Sequence, residues 1–303
     1  MTQWQDFGRN LEVLDRVAPK GDVFIWQSEV DGRAVDVPVE YMYSHNAFRA
    51  DSDPIHVYAG LGEERRAAYR AVQALGKLGL PSIAVIAPFH HLEVTEANIL
   101  RTAIELPHAF MEGMNQRVSA HSDTPRAALG SSQGGGIVAL SAIEAPELFK
   151  EIVLSEPVGF TPSDFVGHPV SSFIWRLGVR NNLRREQVLD PFGMAMAGTE
   201  MFHRLGYDAL HRHIFTKLHT AFKFDLTKGF VERAVPDHDV AVFANTRDPL
   251  FPYASIHSSF AEHGREDLVH RRNSSHTNFN MRAGIRDLLL TAEWIRDRRA
   301  TRN

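Results

Sequence analysis

Cysteine is absent from this chain of 303 residues. Its absence excludes disulfide scaffolds, four-cysteine zinc sites, iron–sulfur clusters and cysteine nucleophiles. Any covalent catalysis therefore has to use another side chain. A chain of this length is near the upper limit for a single hydrophobic core, so we expect one large domain with room for an insertion.

An excess of charge of one sign is also missing. Lys and Arg number 33 against 37 Asp and Glu, which gives a formal net charge of −4. Because nucleic-acid binding requires a basic surface, we expect no nucleic-acid partner. No run of about 18 apolar residues occurs, and residues 1–15 lack the basic start and apolar run of a signal peptide. The sequence thus predicts a cytoplasmic protein with no membrane span, and it leaves a homo-oligomer open.

Short apolar runs alternate with amphipathic stretches along most of the chain. This pattern predicts the α/β class, with a mainly parallel, twisted sheet flanked by helices. The predicted strands cover residues 23–30, 34–43, 55–59, 82–87, 126–130, 151–155, 240–244 and 268–271. The predicted helices cover residues 63–78, 96–118, 134–143, 255–263 and 281–299. Asp31-Gly32 favours a tight hairpin between the first two strands, and Pro107 is expected to kink or break the second helix.

The alternation stops between residues 158 and 237. This segment has no convincing buried strand, but it carries Phe, Met and Leu at helical spacing. It therefore predicts a mostly helical cap inserted into a core that residues 1–157 and 238–303 form together.

A glycine-flanked serine is the strongest local signal for chemistry. Residues 130–134 read Gly-Ser-Ser-Gln-Gly and lie between a predicted strand and a predicted helix. The pattern G-x-S-x-G can occur by chance, so its functional meaning depends on the strand–turn–helix context. A sharp turn at this place would project the Ser132 hydroxyl above the carboxyl edge of the sheet, at the positive end of a helix. The alternative interpretation is an ordinary glycine-rich turn.

A serine hydroxyl becomes a good nucleophile only when a base takes its proton and a carboxylate holds that base. Asp248 and His276 follow the last two predicted strands, so both are expected at the same edge as Ser132. The chain order Ser, Asp, His is that of one particular fold. Glu156, after the strand at residues 151–155, is the alternative acid, and a solvated loop histidine is the alternative for His276.

Acyl transfer also needs hydrogen-bond donors for the developing oxyanion. The backbone N–H of Gln133 directly follows the nucleophile, and that of Leu61 lies in the turn Gly60-Leu61-Gly62 after another strand. This turn lacks the third glycine of a dinucleotide-binding loop and is followed by two glutamates. Nucleotide binding is therefore disfavoured.

The 16 histidines raise the question of a metal. His90 and His91 are adjacent, so in an extended chain they point to opposite sides. His211 and His213 are two apart, which places them roughly 200° apart around a helix. The motif H-E-x-x-H does not occur. We expect neither a metal nor another cofactor.

In the order of these parts the sequence resembles the α/β-hydrolase family. The resemblance covers most of the chain, from the hairpin through the Gly60-Leu61-Gly62 turn and the Ser132 turn to Asp248 and His276. It implies the α/β-hydrolase fold, a Ser132–His276–Asp248 triad and a cap at residues 158–237. The turn Tyr58-Ala59-Gly60 differs from the family's common His-Gly start, and a serine at the nucleophile position argues against the dehalogenase and epoxide-hydrolase branches.

The sequence therefore predicts a serine hydrolase that forms an acyl-enzyme from a small to medium, largely apolar substrate. Its expected partner is a small molecule with an ester-like carbonyl, as a carboxylic ester, thioester or lactone. The alternative is a ligand-binding receptor or a lyase on the same scaffold, since a fold does not determine a function.

Overall fold

The computed structural model of the chain describes residues 19–30, 33–48, 53–60, 65–88, 95–117, 126–161, 225–274, 276, 279 and 282–302. The strands of this part are β1 (Lys20–Val30), β2 (Arg33–Tyr43), β3 (Ile55–Tyr58), β4 (Ser82–Val85), β5 (Ala127–Ser131), β6 (Glu151–Ser155), β7 (Asp239–Asn245) and β8 (Val269–Arg272). The helices are α1 (Arg65–Lys77), α2 (Glu96–Arg117), α3 (Gln133–Glu144), α4 (Tyr253–Ala261) and α5 (Arg282–Arg302).

All eight of these strands join one sheet in the order β1-β2-β4-β3-β5-β6-β7-β8. The pairs β1–β2 and β2–β4 are antiparallel, and every later pair is parallel. The sheet is thus mixed, with the expected antiparallel start, and the predicted α/β class is confirmed. Val30 pairs with Arg33, so the hairpin connection is two residues long, while its residues Asp31 and Gly32 lie outside the described residues.

Helices cover both faces of the sheet, as the amphipathic stretches predict. On one face α1 and α5 bury a cluster built on Val57, Leu75 and Leu288, which are at most 2% exposed. On the other face α2, α3 and α4 pack around Phe110, Phe149 and the central strands. The short strands β3 to β6 are buried along their whole length. Such strands read as continuous apolar runs because helices lie on both of their faces.

The sequence predicts that Pro107 kinks or breaks the second helix; α2 continues through Pro107, so the break does not occur. Proline has no N–H, and its place in a helix leaves the carbonyl four residues earlier without its usual donor. That carbonyl belongs to Ala103, and the Ser141 hydroxyl of the neighbouring helix α3 donates to it at 2.8 Å. A donor from another helix therefore replaces the hydrogen bond that the proline removes.

Replacing Ser141 by alanine is expected to lower the free energy of unfolding by about 2 kcal/mol, because the fully buried Ala103 carbonyl region would lose its donor. Ser259→Ala is the matched control. Ser259 is also buried, but its hydroxyl donates at 3.2 Å to the Ser255 carbonyl of its own helix, which already accepts a helix N–H. Urea unfolding of both variants makes the comparison, and equal losses would contradict this role of Ser141.

A half-buried ion cluster lies at the edge of the sheet opposite Ser132. The Arg299 guanidinium of α5 contacts Glu151 Oε2 at 2.8 Å and Asp53 Oδ2 at 2.7 Å. Glu151 is fully buried at the start of β6. Burial raises the pKa of Asp53 to about 6 against the opposing effect of Arg299. This cluster fixes the closing helix to the sheet far from the predicted site.

The predicted cap begins and ends at neighbouring points of the core. The Leu226 N–H donates to the Gly159 carbonyl at 2.7 Å, and Phe160 packs against the rings of Phe230 and Phe260 at centroid distances of 5.3 and 5.4 Å. Helical turns follow at Thr227–Gly229, Phe230–Ala234 and Val235–Asp237. Residues 162–224 lie outside the described residues, so the division into core and cap stays a prediction.

Within the described ranges, no helix combines the length and the apolar character needed to cross a bilayer.

Candidate active site

Four polar side chains follow four neighbouring strands at one edge of the sheet. Ser132 follows β5, Glu156 follows β6, and Asp248 and His276 come after β7 and β8. Since β5 to β8 are parallel neighbours, their carboxyl ends meet at this edge. All four residues are buried or nearly so, at 9% exposure or less. The topology thus gathers the predicted residues from distant parts of the sequence.

Ser132 occupies the turn between β5 and α3 in a strained conformation. Its backbone angles are φ 51° and ψ −116°, a region that is disfavoured for any residue with a Cβ. The Ser132 N–H donates to the Ser155 carbonyl at 2.9 Å, and its carbonyl accepts the N–H groups of Gly135 and Val158 at 3.0 Å each. These bonds on both sides hold the residue in a conformation that costs free energy.

The glycines that flank Ser132 allow strand and helix to approach closely. A Cβ at Gly130 would lie 2.5 Å from the Gly134 carbonyl oxygen, and one at Gly134 would overlap the Tyr58 carbonyl of β3. Both positions therefore exclude every other residue as long as the turn keeps its shape. This is the physical reason for the spacing G-x-S-x-G in this chain.

Gly134→Ala is expected to destabilise the protein and to displace Ser132, because the new methyl group collides with backbone that has no room to move. Gly136→Ala, two residues later in the same helix, is the control, since its Cβ would contact the Val158 carbonyl at an ordinary 3.4 Å. We expect the free energy of unfolding to fall by about 3 kcal/mol in Gly134→Ala and to change little in Gly136→Ala. Thermal unfolding measures both, and a wild-type Tm for Gly134→Ala would refute the packing argument.

Asp248 and His276 form a direct pair. The Nδ1–H of His276 donates to Asp248 Oδ2 at 2.8 Å. The other carboxylate oxygen, Oδ1, accepts the backbone N–H groups of Leu250 at 2.7 Å and Phe251 at 3.0 Å. Three donors therefore fix the Asp248 carboxylate, and the bond to Nδ1 leaves His276 Nε2 as the basic nitrogen.

The loops that carry this pair are joined by backbone hydrogen bonds. The Thr246 N–H donates to the Arg272 carbonyl at 2.9 Å, and the Arg247 N–H donates to the Ser274 carbonyl at 3.0 Å. These bonds continue the pairing of β7 with β8 beyond the sheet. The Phe251 ring packs against the His276 imidazole at a centroid distance of 5.7 Å. The imidazole is thus positioned by the sheet edge and by an aromatic neighbour.

Glu156 approaches the same imidazole nitrogen as Asp248. Its Oε2 lies 3.0 Å from His276 Nδ1. In the sequence, Glu156 and Asp248 are alternatives for the acid that orients His276. In the structure, both carboxylates lie close to the same nitrogen. Burial raises the pKa of Glu156 to about 7, although His276 acts in the opposite direction. Burial lowers the pKa of His276, yet Asp248 and Glu156 together outweigh it and leave that pKa well above its ordinary value.

Arg272 is a neighbour of this cluster that sequence reasoning did not select. It ends β8, its guanidinium lies over the Phe243 ring at 3.9 Å, and it donates to Thr291 Oγ1 at 2.5 Å. Burial lowers the pKa of Arg272 to about 10, while Asp287 and Glu156 act to raise it. A basic residue at the end of a strand with a buried edge is the only signal that could have found it.

Glu156, Asp248 and His276 also form a group that could be considered for a metal ion, since their ligand atoms lie within 4.8 Å of one another. Ligands of a tetrahedral zinc ion are roughly 3.4 Å apart, given bonds of about 2.1 Å. The Nδ1–oxygen distances of 2.8 and 3.0 Å are hydrogen-bond distances instead. The arrangement fits a proton between these atoms better than it fits a metal ion.

The two predicted oxyanion donors differ in what the structure describes. Gln133 is the first residue of α3, where backbone N–H groups have no helical acceptor. Leu61 lies outside the described residues, and so do the histidines considered for a metal, His90, His91, His211 and His213. Gln133 and Leu61 as donors, and the roles of Ser132, Asp248 and His276, stay predictions.

No protein-family model and no curated protein matches the sequence. Solved structures do share its architecture. A candidate lipase from Acinetobacter baumannii has a TM-score of 0.60 at 13% identity, with 99% of this chain and 98% of that chain covered. A structure from work on carboxylesterases of Nitrososphaera gargenis has a TM-score of 0.58 at 13% identity, covering 91% and 98%.

A third structure, 2-hydroxy-6-oxo-6-phenylhexa-2,4-dienoate hydrolase from a Rhodococcus strain, has a TM-score of 0.56 at 14% identity and covers 92% of this chain and 100% of its own. At such low identity the likeness establishes the fold and not the activity. The strand order, the antiparallel start and the serine turn after β5 agree with it. This chain has the fold of the α/β-hydrolase superfamily.

Proposed function

We propose that the protein is a serine hydrolase that cleaves a carboxylic ester, thioester or lactone of a small to medium, largely apolar substrate. The observation that carries the proposal is the strained Ser132 turn at the sheet edge that also holds the bonded pair Asp248–His276. Strain of this kind persists only where the surroundings enforce it, and it is concentrated at functional sites. The lipase and hydrolase names of structural neighbours agree with this class.

In the proposed reaction the Ser132 hydroxyl attacks the substrate carbonyl, and His276 Nε2 accepts the hydroxyl proton. The N–H groups of Gln133 and Leu61 are proposed to hold the oxyanion of the tetrahedral intermediate. His276 then donates its proton to the leaving oxygen or sulfur, and the acyl-enzyme remains on Ser132. A water molecule, deprotonated by His276, attacks the acyl group; the bond to Ser132 Oγ breaks, His276 returns the proton to that oxygen, and the acid leaves. Asp248 keeps the imidazole in the tautomer that these transfers require.

Two measurements test the proposal. A fluorophosphonate probe is expected to form a covalent adduct, and mass spectrometry of the digested protein should place it on Ser132. A series of p-nitrophenyl esters with increasing acyl length then measures kcat/KM and the size of the acyl site. A receptor or a lyase on the same scaffold would show no turnover of any ester, and failure of the wild-type protein to react with the probe would refute the hydrolase.

A further inference from the structure

Glu156 is held beside His276 by an unusual backbone conformation. It directly follows β6, its φ of 51° lies in the left-handed region, and its side chain is 1% exposed. Its N–H donates to the Phe243 carbonyl of β7 at 2.8 Å. A glutamate in this region costs free energy compared with a glycine. The chain therefore keeps a strained, buried carboxylate at the sheet edge where Ser132 and Asp248 also lie.

The geometry at the imidazole places both carboxylates within hydrogen-bond distance of one nitrogen. His276 Nδ1 carries a single hydrogen, yet Asp248 Oδ2 lies 2.8 Å and Glu156 Oε2 3.0 Å from it. Both distances are within hydrogen-bond range. One hydrogen atom is thus shared between two acceptors, and removal of either carboxylate leaves Nδ1 with the other.

We propose that Glu156 is a positioning residue that shares the Nδ1 hydrogen of His276 with Asp248 and, through its charge, sets the pH above which Ser132 becomes reactive. The proposal rests on the proposed function only in taking His276 as the general base. Glu156 touches neither the hydroxyl nor the substrate in this scheme. It acts through the imidazole alone.

Charged groups on α5 and β8, Asp287 and Arg272, interact electrostatically with Glu156. Asp287 of α5 raises its pKa in addition to burial and Asp248. Arg272 of β8 carries a buried positive charge that both Glu156 and Asp287 stabilise. Burial raises the pKa of Asp287, and Arg272 and Arg286 act against this effect. The buried arginine supplies the counter-charge that an ionised Glu156 needs in this interior.

The sign of the pH effect follows from the charges at the imidazole. Burial alone lowers the pKa of His276, and the negative charges of Asp248 and Glu156 raise it further than burial lowers it. His276 accepts the serine proton only when Nε2 is unprotonated, so activity rises with pH through the pKa of His276. Loss of the Glu156 charge lowers that pKa, and the acid limb of the activity profile then moves to lower pH.

The first test is the pH dependence of kcat/KM for a p-nitrophenyl ester. Glu156→Gln keeps the shape and an acceptor oxygen but removes the charge, and its acid limb is expected to lie at least about one pH unit below that of the wild type. Its plateau kcat is expected to stay within about tenfold, because Asp248 still orients the imidazole. An unmoved acid limb, or one moved to higher pH, would overturn the proposal.

Glu151→Gln is the matched control. Glu151 and Glu156 lie at opposite ends of β6, both are buried carboxylates, and the partner of Glu151 is Arg299 rather than His276. The control variant is expected to lose stability while its acid limb stays where the wild type has it. A shift of equal size in both variants would show that any buried charge on this strand has the same effect, and would overturn the specific role of Glu156.

A second measurement does not depend on hydrolysis. NMR titration of the His276 imidazole in Ser132→Ala, and in the same variant with Glu156→Gln added, reports the protonation of His276 directly. The midpoint is expected to fall by at least about one pH unit when Glu156→Gln is added. If the midpoint falls but the protein hydrolyses no ester, the hydrolase proposal is refuted and the two-carboxylate site is kept. If the midpoint is unchanged and the protein is an active esterase, the role of Glu156 is refuted and the hydrolase proposal is kept.

Discussion

Ser132→Ala is expected to abolish ester hydrolysis, with a fall of at least about 10⁴-fold in kcat and complete loss of fluorophosphonate labelling. The hydroxyl is the only group of Ser132 that can form the acyl-enzyme, and the residual rate would come from binding and oxyanion stabilisation alone. Steady-state kinetics with the best p-nitrophenyl ester measure the effect. Retention of more than a few per cent of the activity would show that another residue is the nucleophile.

The backbone strain at Ser132 can be tested separately, by comparing the stability of two variants. Because φ 51° and ψ −116° suit only glycine, Ser132→Gly is expected to be more stable than Ser132→Ala by about 1 kcal/mol, although both are inactive. Ser131 is the control, since it lies in the regular strand β5. Ser131→Gly is expected to have a lower free energy of unfolding than Ser131→Ala. If glycine were also the less stable at position 132, the turn would not be strained in solution.

Among single substitutions, Asp248→Asn is expected to have the second largest effect, a fall of about 10³-fold in kcat. Asp248 Oδ1 accepts two backbone N–H groups, from Leu250 and Phe251. An asparagine will place its oxygen toward these donors, and its NH₂ group then faces His276 Nδ1 and opposes the tautomer that catalysis needs. The loss stops short of about 10⁴-fold because Glu156 still accepts the Nδ1 hydrogen.

The double variant Asp248→Asn, Glu156→Gln removes both carboxylates and is expected to lose about 10⁴-fold or more. Measurement of kcat for the two single variants and the double variant forms a thermodynamic cycle, which is needed because neighbouring residues on one imidazole do not contribute additively. Loss of activity in Glu156→Gln with near wild-type activity in Asp248→Asn would mean that Glu156, and not Asp248, is the principal acid.

Local signals were sufficient for much of the fold. The strands were predicted to within a few residues because short buried strands are continuous apolar runs with Gly, Pro or polar residues at their ends. The Ser132 turn was predictable because its glycines record a steric requirement, namely the close approach of Gly130 to Gly134 and of Gly134 to Tyr58. Such a requirement restricts the residue types at these positions, so it can be recognised in the sequence.

Long-range contacts could not be predicted in this way. Pro107 indicated a kink or a break in α2, and the hydrogen bond from the Ser141 hydroxyl of another helix, which replaces the one that the proline removes, could not be predicted from local sequence. Glu156 and Asp248 were alternatives in the sequence because spacing ranks candidates for a role but cannot show that two of them meet at one atom. Arg272 carried only a weak signal, a basic residue at the end of a strand, since its importance comes from the burial of its guanidinium near Glu156 and Asp287.

The sequence by itself determined the class of fold, the place of the strained serine and the exclusion of thiol chemistry, because each depends on residue type and local spacing. Only the tertiary structure decided which side chains surround His276, because the parallel pairing of β5 to β8 brings together residues that are far apart in the sequence. Local spacing limits the candidates. The sheet edge selects among them, through distances of about 3 Å that only the folded chain defines.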